Sequence, residues 1–114
     1  MGVRLGRVIE GTSYEVEFEA GKDNDGNAFI FVGWQPNPPY PAQSYPLRVK
    51  KAERGLHALQ CPPASAYQLI EIRVDVPDPG GVGTLRVRGL AGAKKDKEVE
   101  VTTDEVYWLE VTGP

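Results

Sequence analysis

The stretch Thr12–Trp34 reads TSYEVEFEAGKDNDGNAFIFVGW and decides the fold class of this 114-residue chain. Between Tyr14 and Ala20 apolar residues alternate with glutamates, and residues 28–32 form a second apolar run, AFIFV. Side chains of a β-strand point alternately to its two faces, so a period of two indicates a strand with one buried face. The intervening DNDGN, residues 23–27, is typical of a tight turn. The sequence therefore predicts a β-hairpin.

Similar alternation continues to the C-terminus. It predicts further strands over residues 3–9, 45–51, 67–76, 84–88, 98–102 and 106–111. Residues 56–60 fit either a strand or one helical turn, and we favour a strand. If residues 84–88 and 98–102 pair as a hairpin, Arg86 and Arg88 face glutamates across the ladder, which supports the pairing. Short strands with evenly spaced turns and no helical segment predict an antiparallel β-sandwich of about eight strands, jelly-roll or immunoglobulin-like in topology. A small β-barrel is the alternative.

Composition bounds the size and the class of the protein. We expect residues 1–114 to form one domain with a single core, because a chain of this length buries about two thirds of its unfolded surface. The 13 glycines and 10 prolines agree with many short strands joined by tight turns. A formal charge of -3 gives no basic footprint for a phosphate backbone, so nucleic acid is not an expected partner.

The sequence does not fix the location of the protein. Cys61 is the only cysteine, so no disulfide forms within the chain and no oxidising compartment is implied. The first ten residues, MGVRLGRVIE, lack the apolar stretch of a signal peptide, and no run of 18 apolar residues occurs. We therefore expect a soluble protein that is neither membrane-bound nor exported by the usual signal.

The acidic turn Asp23–Asn27 is the best candidate for a cation site, because calcium binds several oxygen ligands on a tight loop. An EF-hand register with Gly26 at its sixth position places Gly21 and Val32 where the two end ligands belong. Both of those ligands are then missing. We therefore predict a hairpin turn with no metal, and the sequence indicates no other cofactor.

Catalytic chemistry is not indicated either. His57 and Cys61 are four residues apart, a spacing that joins them only on a helix, and Pro62 follows directly. We expect a small core cysteine and a surface histidine. Glu15, Glu17 and Glu19 alternate along a strand and are predicted to form its solvated face. We predict no enzyme, unless a deep polar pocket gathers Glu71, Asp75 or Asp104 with a metal.

The aromatic residues are the remaining functional signal. Trp34, Tyr40 and Tyr45 flank or lie within the segment Gln35–Pro41, whose four prolines predict a semi-rigid surface loop. Trp108 lies on the outward register of the last strand. Exposed tryptophan and tyrosine suit sugar stacking or protein contacts. These side chains could equally cover the edge of the core, and both alternatives stay open at this point.

Two segments resemble the first and last strands of jelly-roll carbohydrate-binding modules. They are GTSYEVEFEA, residues 11–20, and YWLEVTG, residues 107–113, which together make up under a fifth of the chain. The resemblance implies a non-catalytic sugar binder that uses Trp34, Tyr40 and Tyr45.

The preferred hypothesis is a non-catalytic structural or assembly subunit that acts through protein contacts. An accessory virion protein, such as a capsid decoration or tail protein, is an example of this class. A rigid proline loop that carries aromatic residues suits protein docking. The expected partners are other subunits of an assembly, and a glycan is the alternative ligand.

Overall fold

The computed structural model describes residues 2–20, 28–39, 41–49, 54–75, 83–92, 96–101 and 105–114. These residues form a β-sandwich of two facing sheets, as predicted, and contain no helix and no closed barrel. The nine strands of the described residues are β1 Gly2–Ile9, β2 Ser13–Ala20, β3 Ala28–Pro36, β4 Gln43–Val49, β5 Arg54–Gln60, β6 Tyr67–Asp75, β7 Gly83–Arg88, β8 Lys97–Val101 and β9 Val106–Thr112.

One sheet has five strands in the order β1-β9-β6-β3-β4, and the other has four in the order β5-β2-β7-β8. Neighbouring strands are antiparallel except for β1 and β9, which are parallel. The prediction of an antiparallel sandwich is therefore correct for every described strand pair but this one. The parallel pair joins the first and last strands along one edge of the larger sheet.

The predicted hairpin between β2 and β3 is wrong. β2 pairs with β5 and β7 in the smaller sheet, whereas β3 pairs with β4 and β6 in the larger one. Alternation gives each strand an apolar face, and these two strands bury theirs in the same core from opposite sheets. Period-two patterning is equally satisfied by pairing within a sheet and by facing across the core. The turn and cation candidate Asp23–Asn27 lies outside the described residues.

The second predicted hairpin is confirmed by the pairing of β7 with β8. Arg86 is directly opposite Glu98, and its Nη2 donates a hydrogen bond of 2.7 Å to Glu98 Oε2. Arg88, which was predicted to face a glutamate of β8, instead contacts residues outside β8. Its Nη1 donates to Glu15 Oε2 at 3.1 Å and its Nε to Asp96 Oδ2 at 3.1 Å.

The core lies between the sheets and consists of the inward residues of the alternating strands. Those that are almost entirely inaccessible to solvent include Tyr14, Val16, Phe18, Ile30, Val32, Ile70, Ile72, Leu85, Val87 and Leu109. Cys61 is part of this core, as predicted, at 2% exposure. The β5 segment is a strand, so the four-residue spacing of His57 and Cys61 does not bring them onto one helical face.

The proline-rich segment begins later than predicted. β3 continues to Pro36, so Gln35 and Pro36 belong to a strand and not to a loop. The partners of Trp34 and Gln35 on β6 are Ile70 and Leu69. A proline is tolerated at a strand end, where its missing N–H costs no ladder hydrogen bond.

The smaller sheet has a charged outer face, and one glutamate in it is buried. Glu17 is 7% exposed, so the prediction of a fully solvated row of glutamates is wrong at this position. Arg86 Nη1 and Arg88 Nη2 both donate to its carboxylate. The long arginine side chains of β7 cover Glu17, while Leu56 of β5 is opposite it on the other side. Charge pairing across strands therefore removes this carboxylate from water.

The part of the chain that the structure describes contains no helix of the length and apolar character that a membrane crossing requires.

Candidate functional site

The outer face of the five-stranded sheet carries large apolar side chains where solvent would be expected to favour polar ones. Alternation along β3 turns Ile30, Val32 and Trp34 inward, and therefore turns the residues between them outward. We call this surface the aromatic face. Its members come from four strands and are Phe29, Phe31, Pro46, Arg48, Arg73, Val106 and Trp108.

The two phenylalanines form the centre of the aromatic face. Their rings are stacked, with centroids 6.3 Å apart and an interplanar angle of 23°. The guanidinium carbon of Arg48 lies 5.8 Å from the Phe29 centroid, and that of Arg73 lies 5.9 Å from the Phe31 centroid. Each arginine is directly opposite its phenylalanine on the neighbouring strand. Cation–π attraction fixes the two side-chain pairs on the sheet surface.

Two hollows adjoin Phe31 and Arg73. One has a volume of about 180 Å³, and its lining includes Phe31, Gly33, Gln35, Ser44, Glu71 and Arg73. The other has a volume of about 450 Å³ and is lined by Phe31, Arg73, Val74, Asp75, Glu105 and Val106. Because Phe31 and Arg73 belong to both, they form a ridge between two depressions. Such relief can receive protruding side chains of a partner.

A polar network holds the floor of the smaller hollow. Gln35 Nε2 donates a 2.7 Å hydrogen bond to Glu71 Oε2, and Arg73 Nε lies 3.4 Å from Glu71 Oε1. The Glu71 side chain is 19% exposed. Both oxygens of this carboxylate therefore already have partners within the protein, and the network positions the Arg73 side chain beside Phe31.

The predicted binding residues Trp34 and Tyr45 are brought together, but on the inner side of the sheet. The Trp34 ring packs edge-on against Tyr45 at 5.6 Å and against Tyr67 at 5.4 Å between centroids. Trp34 packs against the buried core, whereas Tyr45 is 41% exposed. Of the two alternatives left open by the sequence, covering the edge of the core describes Trp34. Tyr40 lies outside the described residues.

Trp108, the fourth predicted binding residue, lies on the outer face of β9, apart from Trp34 and Tyr45. It is opposite Glu71 on β6 and Arg4 on β1. A Cβ atom at Gly2 would overlap the indole ring, so the ring lies against the β1 backbone where only glycine leaves room. Trp108 therefore contributes a partly covered apolar surface to the aromatic face.

The thiol and carboxylate candidates are not gathered into a site. Burial raises the pKa of the Cys61 thiol to about 11, so the thiol is protonated at neutral pH and a poor nucleophile. Glu71 and Asp75 are four residues apart along β6, roughly 13 Å, with Arg73 between them. Asp104 lies outside the described residues. Within the described residues, no cluster of three or more His, Cys, Asp or Glu side chains could hold a metal.

Phe29 and Phe31 were not among the predicted site residues. They belong to AFIFV, residues 28–32, which the alternation pattern indicates only as an apolar run with a buried face. A signal was nevertheless present, because five consecutive apolar residues in a strand cannot all point to one side. In a two-layer sandwich only one side faces the core, so alternate members of such a run must face outward.

Comparison with protein-family models, curated proteins and solved structures found no match to this chain.

Proposed function

We propose that this chain is a non-catalytic subunit of a protein assembly and that it binds its partner through the aromatic face. An accessory protein of a virus particle, such as a capsid decoration or tail protein, is the setting we favour. The observation that carries the proposal is the pair of stacked phenylalanines on an outer sheet face, each with an arginine over its ring. Aromatic residues and arginine are the types most enriched at the centres of protein interfaces.

The contrast between the two outer faces supports this assignment. The outer face of the smaller sheet carries cross-strand ion pairs such as Arg86 with Glu98 and Arg54 with Glu19. The outer face of the larger sheet also has ion pairs, Arg4 with Glu110 and Arg73 with Glu71, but it additionally carries the phenylalanine pair and Trp108. Phe29 and Phe31 are only partly buried, so a partner that covered them would gain part of the about 1.5–3 kcal/mol that full burial of a phenylalanine side chain contributes.

The partner's chemistry follows from the ridge and the hollows. Apolar side chains of the partner would fill the two depressions and contact Phe31. Arg73 already has the Glu71 carboxylate as a counter-charge at 3.4 Å, so the partner need not supply one there. We therefore expect a folded protein surface with apolar protrusions. Polar side chains around the hollows, such as Gln35 and Ser44, suit the edge of such an interface.

The carbohydrate-binding alternative has weaker support. Sugar stacking needs an open aromatic ring, and the Trp34 ring is enclosed by Tyr45 and Tyr67. On the aromatic face the phenylalanine rings carry guanidinium groups instead. The described residues therefore offer no row of free tryptophan or tyrosine rings, although Tyr45 alone is well exposed.

The test is the native mass of the tagged full chain purified from its source, measured by size-exclusion chromatography with light scattering. We expect the unmodified chain in a large assembly and the Phe29→Ser/Phe31→Ser variant as a free, folded protein. The matched control is Glu100→Ser, which changes an exposed side chain on β8, on the outer face of the other sheet. This control should remain in the assembly.

Two results would contradict the proposal. One is incorporation of the phenylalanine double variant at the level of the unmodified chain. The other is specific binding on a glycan array that is lost in Tyr45→Ala while the native mass stays unchanged. The second result would establish the carbohydrate-binding alternative.

A further inference from the structure

The free edges of the two sheets differ in how they are protected. An edge strand presents unpaired N–H and C=O groups, and proteins block such edges with proline, charge, bulges or short strands. In the described chain, β4 has Pro46 at its centre, and β8 has five residues that include Glu98 and Glu100. β1 has a register shift between Arg4 and Gly6. Three of the four edges thus carry a blocking device.

β5 is the fourth edge, and in the described residues it has no proline, no register shift and only one charge, at its start. All seven residues of Arg54–Gln60 pair with β2 without a register shift, and the strand contains no proline. Arg54 at its start is its one formally charged residue at neutral pH. Leu56 is 51% exposed on the outer side. Within the described residues, this edge therefore offers a regular template for another strand.

The direction of the free backbone groups follows from the hydrogen bonds at the end of β5. The Cys61 N–H donates to the Thr12 carbonyl at 2.9 Å, and the Cys61 carbonyl accepts from the Gly11 N–H at 3.0 Å. Cys61 therefore directs both groups toward the start of β2. Backbone direction alternates along an antiparallel strand, so the residues that direct their N–H and C=O groups to the open edge are Arg54, Leu56, Ala58 and Gln60.

We propose that two copies of this chain form a dimer by antiparallel pairing of β5 with β5. A two-fold axis at His57 places Leu56 opposite Ala58 of the second copy. The same axis places Arg54 opposite Gln60 of the second copy. The two smaller sheets then join into one continuous sheet across the axis. This dimer uses a different surface from the aromatic face and does not depend on the function proposed above.

A second copy fits this edge because the pairing is self-complementary. All the outward backbone groups of β5 find partners in this register, about eight hydrogen bonds in total. No like charges are opposed, since Arg54 is opposite a neutral amide. On the outer side, Leu56 covers the small Ala58 side chain of the other copy. On the inner side, His57 and Leu59 are only partly buried, whereas Val16 and Phe18 of β2 are fully buried.

The first experiment measures the mass of the recombinant full chain by light scattering between about 1 µM and 500 µM. This range is chosen because pairing of a single strand buries little surface, and interfaces of that kind bind weakly. We expect a concentration-dependent dimer. Leu56→Lys/Ala58→Lys places two pairs of lysines opposite each other across the axis and should raise the dimer Kd at least about tenfold. Ser44→Lys on β4 is the control and should leave the Kd unchanged.

A monomer at every concentration would overturn the proposal, and so would a double variant that dimerises like the unmodified chain. Phe29→Ser/Phe31→Ser should keep the dimer, so failure of the two proposals is distinguishable. A loss of dimer in that variant would place the contact on the aromatic face instead. Circular dichroism of each variant confirms that its fold is intact.

Cross-linking tests the register separately. The two His57 residues would have Cα atoms about 4.5 Å apart, which suits a disulfide, so His57→Cys should give a covalent dimer on mild oxidation. Gln60→Cys is the control on the same strand, since two Gln60 residues would be roughly 20 Å apart. The native Cys61 is buried and does not interfere. Cross-linking of Gln60→Cys but not His57→Cys would overturn the proposed pairing.

Discussion

Replacing Arg86 with methionine should destabilise the protein far more than an ordinary surface ion-pair change. Arg86 donates to Glu17, which is 7% exposed, and to Glu98. Methionine keeps much of the aliphatic stem and removes the charge. Glu17 then retains one contact, 3.5 Å from Arg88 Nη2. A buried charge that loses its partner costs 3–5 kcal/mol, and we expect about 3 kcal/mol because Arg88 remains.

The comparison is with Arg54→Met. Arg54 pairs with Glu19 at 3.2 Å on the same outer face, but the two side chains are 62% and 46% exposed. Solvent screening limits such a pair to about 0.5 kcal/mol. Urea unfolding of the two variants should therefore differ by roughly 2–3 kcal/mol, and the thermal midpoint of Arg86→Met should fall by roughly 10–15 °C.

A double variant identifies the cause of the loss. Glu17→Gln/Arg86→Met carries a neutral amide that needs no counter-charge, so it should be more stable than Arg86→Met alone. If Arg86→Met costs no more than Arg54→Met, the burial of Glu17 has no energetic consequence and the reasoning fails. If the double variant is less stable than Arg86→Met, lost packing and not the unpaired carboxylate explains the effect.

Two further predictions concern packing and the thiol. Gly83→Ala should cost about 1–3 kcal/mol in urea unfolding, because its Cβ would overlap the Phe18 ring and lie 2.6 Å from the Glu19 carbonyl oxygen. Gly33→Ala should stay within about 0.5 kcal/mol, since its Cβ would lie 3.5 Å from the Gln43 carbonyl oxygen, and equal costs would contradict this. Cys61 should resist alkylation at pH 8 until the protein unfolds, and rapid labelling of the native protein would refute its burial. Because folding raises the pKa of Cys61 from 9.0 to about 11, the associated stability is complete below pH 9 and is lost as the pH rises toward 11.

The strands were predictable because alternation is a local property of the chain. Each predicted strand overlaps an observed one, and the β7–β8 hairpin with its Arg86–Glu98 pair followed from charge and spacing. Sheet membership was not predictable in the same way. The apolar faces of β2 and β3 fit equally well side by side or face to face, and only the whole set of nine strands decides between these arrangements.

The candidate site was predictable only in part. Trp108 was expected on an outward register and lies there. Trp34 was expected beside the proline-rich loop, as a binding residue or as a cover for the core edge, and it lies inward on β3. Predicting that Phe29 and Phe31 point outward required knowing that only one side of β3 faces the core. The burial of Glu17 depended on which strand supplies its neighbours, and arginines on β7 are far from it in sequence. The outward position of the phenylalanines and the burial of Glu17 both arise only when the strands are assembled into sheets.

The parallel pairing of β1 with β9 determines how this protein would respond to a pulling force. Gly2 is opposite Val106 and Ile9 is opposite Thr112, so the first strand begins at one end of the pair and the last strand finishes at the other. Tension applied through the two strands at these outer ends would slide them past each other. The ladder hydrogen bonds between them would then bear the load together and would not open one after another. A domain built in this way resists mechanical extension along the direction of β1 and β9.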